Sequence, residues 1–98
     1  MQKKVLCERI VALVAQTTDL TVEEIMSSKK RADIVDARYL AVYAMLQQGV
    51  TLYYVAEFMN MTQRNVYHIQ EHFDDRKIYG NPALERYYNT LLKSLKQF

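Results

Sequence analysis

Two glycines and one proline are all that 98 residues contain. Tight turns draw on the left-handed backbone that glycine adopts freely and on the fixed φ of proline. A chain poor in both makes few of them, which disfavours a many-stranded sheet and points to helices. Half of the residues are hydrophobic and 24% are charged, a balance of globular rather than disordered chains. At this length the expectation is one domain, residues 1–98, burying roughly 60–65% of its unfolded surface around a modest core. A large multi-domain enzyme is excluded. So is a nucleotide-hydrolysing module that needs a Walker loop, since neither G-x-x-x-x-G-K-[ST] nor G-x-G-x-x-G occurs.

Cys7 is the single cysteine, so no disulfide framework forms within one chain and a reducing, cytoplasmic setting is expected. The basic and then apolar start (Val5, Leu6, Ile10, Val11, Leu13, Val14) is interrupted by Glu8 and Arg9 and is followed by no small-x-small cleavage site, unlike a signal peptide. No apolar run has the length of a membrane span. Thirteen basic and eleven acidic residues leave a net charge of +2, which neither demands nor forbids a nucleic-acid partner. The charge is spread evenly. Residues 1–49 hold seven basic and six acidic groups, and residues 50–98 hold six and five. The one dense basic spot is Lys29-Lys30-Arg31, with Arg38 a little further on.

Hydrophobic periodicity predicts six helices. The first runs over about 2–16 with Val5, Ile10, Leu13 and Val14 inward, and Thr17-Thr18-Asp19 breaks it. Thr21-Val22-Glu23-Glu24 is a capping box that starts a short second helix ending near Met26. The third and longest, about 32–48, carries a wide stripe of Ile34, Val35, Ala37, Leu40, Ala41, Ala44 and Met45. Gly49 stands where a left-handed C′ residue belongs. Thr51 caps a fourth helix, about 52–59, with Leu52, Val55 and Phe58 inward. Thr62 caps a fifth, about 63–74, with Val66, Ile69 and Phe73 inward. Asp74 to Gly80 reads as a connection. Asn81-Pro82 then opens a sixth helix, about 82–96, burying Leu84, Tyr87, Leu91 and Leu95.

The stretch from Thr51 to His68 reads as a helix-turn-helix. Small Ala56 lies where two helices approach, a three-residue turn (Met59-Asn60-Met61) follows, and the next helix opens with Thr62-Gln63-Arg64-Asn65. When such a helix enters a major groove, its first turn reads base edges. Arg64 suits guanine, and Gln63 or Asn65 suits adenine. The positive end of the helix dipole favours phosphate.

From about Arg9 to Leu95 the order of elements resembles the DNA-binding C-terminal domain of the bacterial replication initiator DnaA, a Trp-repressor-like helix-turn-helix fold. Leu20-Thr21-Val22-Glu23-Glu24-Ile25-Met26 is similar to the short helix that opens that domain, and Ser27-Ser28-Lys29-Lys30-Arg31 to its basic loop. Ile34-Val35-Asp36-Ala37-Arg38-Tyr39-Leu40-Ala41 is similar to the start of its long helix. Thr51-Leu52 through Val66-Tyr67-His68 is similar to its helix-turn-helix, and the helix after Asn81-Pro82 to its last element. The resemblance implies that Arg38 enters a minor groove and that Thr62, Gln63, Arg64 and Asn65 form the first turn of a recognition helix. It implies that His68 closes the motif and that Lys29, Lys30 and Arg31 lie near the DNA backbone. Gln47, late in the long helix, is expected to approach phosphate, and Thr51 and Thr62 to offer phosphates their helix-start amides. The family signature G-G-R-D-H-T-T-V is one residue longer than Asn60-Met61-Thr62-Gln63-Arg64-Asn65-Val66, which lacks the Asp-His pair that reads bases in the family. Either the target sequence differs or base reading has decayed. The ATPase and oligomerisation domains of the initiator have no counterpart in the chain.

The expectation is therefore an all-α six-helix bundle with a central helix-turn-helix that binds double-stranded DNA, without catalysis and without a cofactor. The alternative is a protein–protein or homodimerisation module using exposed tyrosines and Met59 or Met61. Tyr53-Tyr54 and Tyr87-Tyr88 are adjacent pairs in which one member can face outward. His68-Ile69-Gln70-Glu71-His72 spells the H-x-x-E-H of inverzincin peptidases, but the chain offers no second ligand motif, and the plainer reading is two surface histidines flanking core Ile69. Cys7 reads as a packed thiol, and Asp74-Asp75 before Arg76-Lys77 as self-compensating surface charge.

Overall fold

The computed structural model describes residues 2–96. Its described elements are six α-helices and one π-helical turn: α1 (Lys3–Thr18), α2 (Val22–Met26), α3 (Ala32–Gln47), α4 (Leu52–Met59), α5 (Gln63–Asp75), the π turn (Arg76–Gly80) and α6 (Ala83–Lys96). No described helix is long and apolar enough to cross a membrane.

The glycine shortage is met by other residues at the helix ends. α3 closes through Gly49 at φ 91°, with the Val50 amide donating to the Met45 carbonyl (3.1 Å) and the Gly49 amide to the Leu46 carbonyl (3.0 Å). This pair of bonds is the Schellman closure. α4 closes in the same way through Asn60 at φ 55°, the Met61 amide donating to Ala56 (2.9 Å) and the Asn60 amide to Glu57 (3.3 Å). α1 ends on Asp19 at φ 59°, with the Leu20 amide donating to Ala15 (3.0 Å). Asp and Asn are the non-glycine residues that visit this backbone region most readily. In each case the next residue, Leu20, Val50 or Met61, is apolar and packs on the core. The helix ends are thus sealed by backbone bonds and by burial together.

The starts of α2, α4 and α5 follow the side-chain code, whereas α1 and α3 begin without a side-chain cap bond. Thr21 and Glu24 form the full capping box, while Thr51 and Thr62 accept from the amides of Tyr54 and Asn65. Thr17 and Thr18 do not break α1 as expected. Their hydroxyls donate to the carbonyls of Leu13 and Val14 within the helix, at 2.8 and 2.7 Å, and the break falls on Asp19.

α3 is the centre of the bundle and contacts all five other helices. Ala37, Ala41 and Ala44 are fully buried along it beside Ile34, Leu40, Val42 and Met45. The small side chains let neighbours approach from several directions, as a helix surrounded on most sides requires. This is also why Val42 is buried although it lies off the expected stripe, and why Val35 is only half-buried. Tyr43 stacks on Phe73 with ring centroids 4.0 Å apart, and Tyr88 meets both rings edge-on. The three rings join α3, α5 and α6. Cys7 is buried, and burial raises its thiol to a pKa of about 11, so it is a packing residue rather than a thiolate.

The segment from Asp74 to Gly80 is not a loose connection. α5 widens into a π turn whose i to i+5 bond runs from the Asn81 amide to the Arg76 carbonyl, at 2.8 Å. Asp36 of α3 holds it. Arg76 Nε donates to Asp36 Oδ1 (2.5 Å) and Asn81 Nδ2 donates to Asp36 Oδ2 (3.1 Å). The Arg76 guanidinium also lies 4.5 Å from the Tyr39 ring centroid. Asn81 Oδ1 in turn accepts from the Ala83 amide (3.0 Å) and so caps α6. Arg76 is therefore not part of a local surface charge pattern, although Lys77 and Asp74 do pair at 3.3 Å.

Candidate nucleic-acid interface

α4 and α5 are joined by a three-residue turn, Asn60 to Thr62, and they pack on one another. The turn starts one residue later than the sequence suggests, because Met59 closes α4 and is buried. Val66, Ile69 and Phe73 anchor α5 in the core. With 3.6 residues per turn, Arg64, His68 and Glu71 then share the opposite, exposed face. Gln63 and Asn65 flank Arg64, and Asn65 faces the loop between α2 and α3, since both line the same clefts. The charge on α5 is polarised. Arg64 is in its first turn, while Glu71, Asp74 and Asp75 lie about 10 Å or more further along the axis.

The α2–α3 loop lies beside this first turn. Lys29 and Lys30 are exposed and have no ion-pair partner among the described residues. Arg31 differs. Its Nε donates to Asp33 (2.6 Å) and its Nη2 to Glu24 (3.2 Å), so its charge is already shared by two carboxylates. Those bonds raise Arg31 above its ordinary pKa and help to hold Asp33 below its own. The backbone bond from Thr21 is the main cause that lowers Glu24.

Arg38 turns toward the loop rather than out into solvent. Its Nε donates to the Ile25 carbonyl (2.9 Å), and its Nη2 to the Lys29 carbonyl (2.6 Å) and to Ser27 Oγ (3.4 Å). All three acceptors are neutral. Burial lowers its pKa, and no carboxylate counteracts that. In this arrangement Arg38 shapes the loop, and two of its three nitrogens are committed to it.

The structure thus brings Lys30, Arg38, Thr62 and Asn65 around one groove, with Gln63 and Arg64 on the adjoining outer face of α5. His68 lies one turn further along and leads to a second cleft with Tyr39, His72 and Arg76. Thr51 and Gln47 are not gathered there. Thr51 is at the far end of α4, about 12 Å from the turn, and exposed Gln47 is at the opposite end of α3 from the basic loop, about 22 Å away. Sequence reasoning missed Lys3, whose Nζ lies 5.8 Å from the Tyr54 ring centroid and so places a cation beside the start of α4. Most of α1, all of α2 and α3 and three connections separate it in sequence from that neighbour, and no local pattern signals the contact.

His68 and His72 have ring centroids 4.3 Å apart, and His72 Nδ1 lies 3.4 Å from Asp75 Oδ2. Among the described residues no group of three or more His, Cys, Asp and Glu side chains is placed to hold a metal ion. Of the tyrosines, Tyr53, Tyr67 and Tyr79 are exposed. Tyr87 and Tyr88 both pack against the core, so that pair presents neither ring fully outward.

These features define an all-helical domain with a polar, cation-bearing helix start beside a basic loop. No family model and no curated protein sequence matches the chain.

Proposed function

We propose that the chain is a double-stranded DNA-binding module, with α4 and α5 acting as a helix-turn-helix similar to that of the DnaA C-terminal domain. The observation that carries this reading is the first turn of α5. It exposes Gln63, Arg64 and Asn65 at a helix N-terminus, next to the unpaired cations Lys29 and Lys30. Gln63, Arg64 and Asn65 probe base edges, with Arg64 bidentate to guanine. Lys29, Lys30 and the amides at the Thr62 start of α5 hold phosphates. The carboxylates of α5 sit at its far end, so the helix approaches the duplex by its N-terminal turns. Arg38 orders the loop that presents the lysines, and reaching a minor groove would require it to release the Lys29 carbonyl.

The test is selection of bound duplexes from a randomised library at two salt concentrations. An enriched motif is expected, with a log–log salt slope of about −2 for the two phosphate-neutralising lysines. Arg64→Ala is expected to relax preference at one base position by about 1–3 kcal/mol. Absence of binding at low salt, or unchanged preference in the variant, overturns the assignment.

A second reading is favoured by one observation. Tyr79 and Ile78 of the π turn are 84% and 62% exposed, and Tyr53 and Tyr67 are 65% and 55% exposed. Exposed tyrosines are enriched at protein interfaces, which supports a protein–protein or homodimer contact on the same scaffold. Met61 is half-buried, whereas Met59 is enclosed. Sedimentation of the wild type against Tyr79→Ser tests it, with a concentration-dependent dimer lost in the variant as the supporting result.

A further inference from the structure

Between the α2–α3 loop and the first turn of α5 lie two contiguous clefts of about 540 and 470 Å³. They share Ser28, Lys30, Arg38, Met61 and Asn65, so they form one groove with two ends. One end is polar, with Ser27, Asn60 and Thr62. The other has an apolar floor of Val35, Tyr39 and Ile69. Among the described residues no carboxylate lines either end, although eleven Asp and Glu residues are present in the chain. Three cations do line it: Lys30, Arg38 and Arg76. Arg76 is neutralised by Asp36. Arg38 is not neutralised, since it meets only carbonyl and hydroxyl oxygens through Nε and Nη2, and Nη1 has no partner among the described residues. A half-buried guanidinium with a free edge, a nearby unpaired ammonium and no acid in the wall is complementary to an anion. The apolar floor and the size are those of a site for a small organic molecule rather than for a bare ion.

We infer that this groove binds a small molecule carrying a phosphate or similar tetrahedral anion on a flat apolar body. The anion meets Lys30, Arg38 Nη1 and Asn65, and the body lies on Tyr39 and Ile69. The inference does not depend on the DNA reading. A phosphate of this chemistry also has a second source, the DNA backbone, but a backbone phosphate leaves the apolar end empty.

The experiment is an NMR titration of the full chain with four probes: phenyl phosphate, inorganic phosphate, phenol and a short random-sequence duplex. Saturable shifts centred on Lys30, Met61 and Asn65 are expected with phenyl phosphate, at an affinity about tenfold above inorganic phosphate or phenol alone. Lys30→Gln and Asn65→Ala replace exposed side chains and are expected to keep the dispersed wild-type spectrum. Each should weaken phenyl phosphate by about tenfold, the size of one charge-assisted hydrogen bond. Phenyl phosphate binding no tighter than inorganic phosphate overturns the inference, as does an affinity indifferent to both variants. Shifts at these residues with the duplex alone assign the anion to the DNA backbone and also overturn it. A duplex that moves nothing while phenyl phosphate binds leaves the inference standing and removes the DNA reading.

Discussion

Arg38 belongs to the central helix α3 and Arg76 bonds to it through Asp36, and the two arginines are held in opposite ways. Arg76 has a carboxylate counter-ion, an aromatic ring beneath it and a neighbour, Asn81, that shares the same carboxylate. Its interactions are complete, and the segment it closes is structural: the π turn and the start of α6. Arg38 carries the same charge in a similarly half-buried place, but its partners are the Ile25 and Lys29 carbonyls and the Ser27 hydroxyl. Neutral acceptors orient a guanidinium without cancelling its charge. The difference separates a side chain whose purpose is met inside the fold from one that still has an edge and a charge to offer outside it.

Removing the counter-ion in the complete case should have the larger effect. Asp36→Ala leaves Arg76 partly buried and unpaired and removes the bond that positions Asn81. A loss of about 2–3 kcal/mol is expected in chemical denaturation, together with fraying of the first turn of α6 in hydrogen exchange. An unchanged midpoint would show that the π turn holds without its staple. Arg38→Met keeps the buried alkyl length and removes only bonds to neutral acceptors at the rim. It should cost about 1 kcal/mol and speed exchange in the α2–α3 loop while leaving α6 untouched. If it destabilises as much as Asp36→Ala, the contrast between the two arginines fails.

The smallest effect concerns the acidic side of the loop. Glu24 is held below its ordinary carboxylate value of 4.5, chiefly by the Thr21 amide, with Arg31 also contributing. A depressed pKa gives stability that is present above the ordinary value and lost as pH falls through the lowered one. Stability measured from neutral pH into the acid range should therefore decline there by a small increment that Glu24→Gln abolishes. An identical acid limb in the variant would remove the capping box from the account.

Much of the local structure was legible because it depends on neighbours in sequence. Thr21 with Glu24, Thr51 and Thr62 are caps whose partners lie three residues away. Gly49 closes α3 as its position suggests, and Val66, Ile69 and Phe73 recur with the helical period. The same local logic misjudged Thr17 and Thr18, whose hydroxyls bond back within the helix, and it took Asp74 to Gly80 for a connection. The candidate site was legible only in part. Thr62 to Asn65 form an exposed helix start as expected. The engagement of Arg31 by Glu24 and Asp33, and of Arg38 by the loop, was not visible as a pattern of charges along the chain.

What the sequence by itself determined, then, is the number and order of the helices, the threonine caps that start three of them and most of each apolar face, though Val5, expected inward, is exposed and Val42 is buried off the stripe. Backbone bonding and side-chain period act over three to five residues, and a glycine-poor chain leaves few alternatives. Only the tertiary structure decided which charges are already spent. Asp36 meets Arg76 forty residues away, and Arg38 meets the Ile25 carbonyl thirteen residues away. Such pairings depend on how helices cross around α3, and that is set by the summed packing of the whole core rather than by any segment of it.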